Sequence, residues 1–157
     1  MTSLTLEQQA YDMSLIARID ALRVKARRFP MSLLEFGMRL AVGATFFRSG
    51  MNKVESFDSA ITLFRDEYRL PLLPPEIAAY MGTTVELTAP VLLVLGVFAR
   101  LGAAALLVMT FTIQFLVYPE NWPEHLMWAS ILAYVLSRGP GALSIDRFVA
   151  LRLFARA

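Results

Sequence analysis

Apolar residues in this chain come in long blocks separated by short polar stretches. A helix that crosses a bilayer needs about 20 mostly apolar residues. Four blocks approach that length, at residues 32–50, 76–98, 101–118 and 124–137. The third carries no charge, and the fourth is short and opens near the polar WPEH. The second and third are joined by a tight turn at Ala99 and Arg100, and the third and fourth by PENWP. The stretch 51–75 is longer and mixed. Within it FDSAITLFRDEY puts Phe57, Ile61 and Phe64 on one helical face. That pattern predicts a short helix lying at the membrane interface, ended by the prolines at 71–75.

Both ends of the chain have an amphipathic pattern. Leu15, Ile19, Leu22, Ala26 and Phe29 recur at helical spacing beside Arg18, Arg23, Lys25, Arg27 and Arg28. Acids and bases are scattered through residues 1–30 with no apolar core of the signal-peptide kind, so this segment is expected to stay in the mature protein. At the other end Ser144 is a good N-cap for SIDRFVALRLF after a GPG stop. Both patterns suit helices resting on an anionic membrane surface, with docking to a partner as the alternative. The expected organisation is a basic segment 1–31, a membrane domain 32–138 and a tail 139–157. The fold class is all-α: an integral membrane four-helix bundle with amphipathic helices at both termini and a short helix in the first outer loop.

Composition agrees with the blocks. The chain of 157 residues is 57% hydrophobic, with a mean hydropathy of +0.54. A soluble domain of this length is less apolar. A net charge of +2 gives no ground for nucleic-acid binding. With no cysteine and one histidine, the chain offers no thiol exchange and no self-contained metal site. Lys and Arg are denser before the first span, in the turn at Arg100, and after the fourth span at Arg138, Arg147, Arg152 and Arg156. That bias predicts both termini in the cytoplasm.

The polar residues inside the spans carry any chemistry: Glu35, Arg39, Arg48, Glu86, Gln114 and His125. Such residues usually face the bundle interior and pair with one another. At a helical rise of about 1.5 Å per residue, Arg39 lies about 10 Å and Glu86 about 18 Å from the inner boundary. An Arg39–Glu86 ion pair is therefore expected, with Arg48 as the other candidate partner and Glu35 as a local partner for Arg39. Pro90 follows Glu86 by one turn. Its ring removes an N–H and displaces the Glu86 carbonyl, predicting a helix kink that frees a backbone acceptor beside the carboxylate. Thr110, Gln114 and Tyr118 form a polar stripe, and His125 shares a face with Trp128. Two readings follow. The Glu–Arg pair is structural glue, or the outer-half groups Arg48, Lys53, Glu86, Gln114, Tyr118 and His125 form a polar vestibule rimmed by Trp122 and Trp128.

The blocks RLAVGATFFRSGMNKVESF at 39–57, PPEIAAYMGTTVELTAPVLLVLGVFARLGA at 74–103 and MTFTIQFLVYPENWPEHLMWASILAYVLSRGPGALSID at 109–146 resemble the DoxX family of bacterial membrane proteins. The resemblance covers about residues 33–147. It rests on Arg39, SG-x-x-K, Glu86, Pro90, LG-x-x-x-R and GPG-x-LS-x-D; the basic N-terminal extension is less typical. It implies a multi-pass protein of the bacterial inner membrane with a redox-linked role. Relatives are associated with quinone-coupled thiosulfate oxidation, with complexes for oxidative or thiol stress, and with genes for metal-binding peptides. No catalytic residue set carries over. One expectation is an accessory subunit, rather than a free-standing enzyme, that binds quinone through Arg39, Glu86, Gln114 and His125. The alternatives are a non-catalytic scaffold for a protein partner and a small oligomeric transporter.

Overall fold

The computed structural model describes residues 17–23 and 30–154. The chain divides into two units, Met1–Met31 and Ser32–Ala157. In the first, residues 17–23 form an exposed helix (α1), with a surface contact of 3.3 Å between Arg23 and Asp20. Ile19 and Leu22 of the expected amphipathic face are exposed on it. Leu15, Ala26 and Phe29, with Lys25, Arg27 and Arg28, lie outside the described residues.

The second unit is helical throughout, with no strand among the described residues. Its elements are α2 (Met31–Glu55), α3 (Phe57–Leu63), a π-helical turn (Phe64–Tyr68), α4 (Pro75–Leu95), α5 (Ala99–Thr112) continued by a second π-helical turn (Ile113–Val117), α6 (Trp122–Arg138) and α7 (Ile145–Phe154). Helix α4 opens on Pro75, whose missing N–H costs nothing at that position, with Glu76 favourably placed in the first turn. Helix α6 opens the same way with Pro123 and Glu124. The chain α4 plus α5 is a tight helical hairpin. Gly102 lets it close, because a Cβ there would stand 2.8 Å from the Ala89 carbonyl oxygen.

Val42, Phe46, Ala89, Leu93, Ala103, Leu106, Leu132 and Val135 form the core, so α2, α4, α5 and α6 all contribute to it. The outside is also apolar: Leu40, Phe47, Val91, Leu95, Val108, Phe111, Leu116 and Met127 are exposed. The segments Pro75–Leu95 and Ala99–Val117 are long and apolar enough to cross a membrane, with mean hydropathies of 1.5 and 1.7.

The stretch 57–68 is helical as the pattern predicts, but its apolar face does not point outward. Phe64 is buried against Ala78 and Ala79 of α4, with Phe57 and Ile61 packed beside it. Burying these rings against α4 removes them from both water and lipid, and makes 57–68 a lid on the hairpin. Helix α2 also outruns its apolar block by a full turn, to Glu55, which brings Lys53 onto the helix.

Candidate functional site

Two polar clusters occupy opposite ends of the bundle. The first begins with Ser49, Gly50 and Lys53 on α2. Ser49 and Lys53 are one helical turn apart and face α4 together. Gly50 between them permits the close approach, since a Cβ there would lie 3.0 Å from the Glu86 Cβ. The Lys53 ammonium donates to Glu86 Oε1 at 2.9 Å and to Ser49 Oγ at 2.9 Å, and stands 2.8 Å from Glu86 Oε2. Ser49 in turn donates to Glu86 Oε1 at 3.1 Å. Both charges are buried, Lys53 at 8% and Glu86 at 5% exposure, so each depends on the other for its counter-charge. Glu86 Oε2 touches the ammonium but accepts no hydrogen bond among the described residues. The ion contact satisfies its charge and leaves lone-pair capacity open.

The expected Arg39–Glu86 ion pair is therefore not formed. Gly50 lies against Glu86, whereas Gly43 lies against Val94. That antiparallel register puts Arg39 level with the C-terminal end of α4, about 16 Å along α2 from Gly50. There its guanidinium, fully buried, donates from Nη1 to the Leu93 carbonyl at 3.0 Å and the Val94 carbonyl at 2.8 Å, and from Nη2 to the Leu143 carbonyl. A cation on the open carbonyls of a helix C-terminus is the favourable placement. Nor does Glu35 pair with Arg39; it accepts from the Tyr134 hydroxyl at 2.8 Å. Arg48 is exposed and has no ion pair among the described residues.

Close to Arg39, Asp146 closes the same end. Its carboxylate accepts from the N–H groups of Phe98 at 3.0 Å and Ala99 at 3.1 Å, capping the start of α5. Ser144 accepts from the N–H of Arg147 at 3.3 Å, so its predicted role at the start of α7 holds.

Gln114 and His125 meet at the first end. The Gln114 amide nitrogen donates to the Pro119 carbonyl at 2.7 Å, which turns its oxygen toward His125 Nδ1, also at 2.7 Å. That orientation makes Nδ1 the donor to the Gln114 oxygen. The His125 ring also packs on Trp128, with centroids 5.2 Å apart. Both Gln114 and His125 are buried.

A cavity of about 390 Å³ opens between these elements. Val85, Met109, Ile113 and Trp128 supply apolar wall, and Ser49, Glu86 and His125 supply the polar groups. The two π-helical turns flank it through Phe64, Tyr68, Ile113 and Val117. A π-turn widens the helix and is a common mark of functional sites. Across the mouth Tyr118 donates to Glu67 and stacks edge-on against Tyr68, with centroids 5.8 Å apart. Burial, with Glu86 and Glu67 nearby, pushes the Tyr68 hydroxyl above its ordinary range, so it stays protonated and able to donate.

Of the residues expected in one pocket, Glu86 and His125 line this cavity, Gln114 braces His125 from behind, and Arg39 belongs to the opposite end. Ser49 and Tyr68 are the missing members, while Lys53, expected in the vestibule, stands behind Glu86 as its counter-charge. Ser49 had a signal in SG-x-x-K, which straddles the end of the apolar block. Tyr68 had none, because only the lid packing brings it to the cavity. Helix α4 passes through Pro90 without interruption, and Pro90 is buried beside Gly43. Among the described residues no group of acidic and histidine side chains is arranged to hold a metal.

No curated protein and no solved structure matches the chain. Residues 34–119, more than half of its length, match the DoxX family, a stretch that holds Arg39, Ser49, Lys53, Glu86 and Gln114 and stops before His125. With its apolar exterior facing the bilayer, the chain belongs to the DoxX family of membrane proteins.

Proposed function

We propose that this protein is an accessory membrane subunit of a redox-linked process and holds a quinone in the cavity beside Glu86. The observation that carries the reading is Glu86, a buried carboxylate on the wall of a mostly apolar cavity whose Oε2 meets only the Lys53 ammonium among the described residues. A cavity of about 390 Å³ lies within the size range of small-ligand sites, and a few polar groups in an apolar lining are what such sites use for orientation. A quinone ring fits that chemistry. Tyr68 is a protonated donor for a carbonyl, His125 lines the same wall, and Glu86, paired with Lys53, is a buried acceptor. A quinone supplies two-electron, two-proton chemistry when bound. The chain's own part is to exclude water, orient the ring and keep acceptors near it, with electrons coming from a partner protein.

In the same reading α2, α4, α5 with residues 113–117, and α6 are four spans in a bacterial inner membrane, both termini are cytoplasmic, and α1 and α7 rest on the membrane surface. Support comes from the internal pairing of Lys53 with Glu86 and of Arg39 with carbonyls, which removes the main objection to α2 as a span.

The test is the ultraviolet difference spectrum of the purified protein before and after borohydride. Wild type should carry a quinone signal, and Glu86→Gln, purified as folded protein at matched amount and assayed well below its melting temperature, should carry less. A wild-type preparation without quinone, which also fails to take up added quinone, would leave a scaffold or an oligomeric transporter as the better reading.

A further inference from the structure

A second cavity, of about 590 Å³, lies at the other end of the bundle, between the α4–α5 turn, the end of α6 and the start of α7. Arg100, Arg138 and Arg147 line it, one from each of α5, α6 and α7. Widely separated segments thus bring three guanidinium groups to one space. None has an ion-pair partner among the described residues. Arg100 makes a single long bond of 3.4 Å to the Ser137 carbonyl. Asp146 is the one acid on the wall, and both its oxygens are engaged by the Phe98 and Ala99 N–H groups.

Three like charges around a cavity repel one another unless an anion joins them. Guanidinium groups suit phosphate oxygens because their paired N–H donors match them in geometry. The apolar surroundings identify which phosphate. Phe98 is 69% and Leu101 65% exposed on the same cavity wall, continuous with the apolar exterior of the α4–α5 hairpin. A free phosphate has no use for that surface, whereas a lipid phosphate carries acyl chains that would cover it. We infer that Arg100, Arg138 and Arg147 form a headgroup site for an anionic phospholipid, whose acyl chains run along Phe98 and Leu101. The site is independent of the cavity beside Glu86.

Native mass spectrometry of the full chain in a non-ionic detergent tests this, with phosphatidylglycerol and phosphatidylcholine of the same acyl chains as probes. Phosphatidylglycerol should be retained over phosphatidylcholine. Arg138→Gln and Arg147→Gln should each lower its retention about fivefold. The triple change, with Arg100→Gln added, should abolish the preference. Arg48→Gln, an exposed arginine at the opposite end, should change nothing. Should the triple variant melt below wild type, the two singles at exposed positions decide. Equal retention of the two lipids overturns the site, as does a preference that survives Arg138→Gln and Arg147→Gln. Full displacement of phosphatidylglycerol by millimolar inorganic phosphate, which should not occur, would reassign it to free phosphate.

Discussion

At the scale of single residues, Lys53 and Glu86 tolerate burial only together. Removing one partner strands the other charge, which costs about 3–5 kcal/mol in soluble proteins. Lys53→Met and Glu86→Gln should each lower the melting temperature in detergent, and the double variant should recover much of the loss. Arg39→Gln and Glu86→Gln should instead add, since the two residues share no partner. A large coupling between positions 39 and 86 would contradict the register described above. The sequence makes plain that these charges face inward, because nothing else is tolerable in an apolar helix. Which charge meets which was not legible. Rise per residue gives depth to within a turn or two, and Lys53 lies beyond the apolar block that marks the span. Pairing is decided by where Gly50 and Gly43 let α4 settle, and that is a property of two helices in contact.

At the scale of elements, apolar block length located α4 and α5 closely, the prolines at 71–75 marked the start of α4, and the GPG stop marked the end of α6. The two π-helical turns left no mark in the pattern. A π-turn shifts the faces after it by one residue, so Tyr118, expected on a stripe with Gln114, instead reaches across to Glu67. The lid 57–68 was legible as a helix, but amphipathicity alone does not say whether its apolar face meets lipid or protein. Pro90 offers a test at this scale. The Pro90→Ala change supplies an N–H for the Glu86 carbonyl and restores one helical hydrogen bond. The melting temperature should hold or rise, while quinone retention falls as the restored bond re-aims Glu86. A variant equal to wild type in retention would show that Pro90 does not shape the cavity.

At the scale of the whole molecule, Arg100, Arg138 and Arg147 gather at the Arg39 end and the cavity beside Glu86 opens at the other. With no native cysteine, sidedness can be read by labelling. A cysteine at Ser59, exposed on the lid, should react with an impermeant maleimide in intact cells, and one at Ala142 should react only after the membrane is opened. The reverse pattern would invert the orientation and move the cavity to the cytoplasmic side.

The clamp around Arg39 has a consequence for the order in which the protein can be made. Its third acceptor, the Leu143 carbonyl, comes 104 residues later in the chain. Asp146, which caps the start of α5, comes 47 residues after the amide of Ala99. During synthesis the earlier helices form with a buried cation short of a ligand and a helix end uncapped. Only when residues 143–146 leave the ribosome can that end be sealed. Until then the Arg39 end stays open, so a chain truncated before residue 143 should be cut faster by protease at that end than the full-length protein.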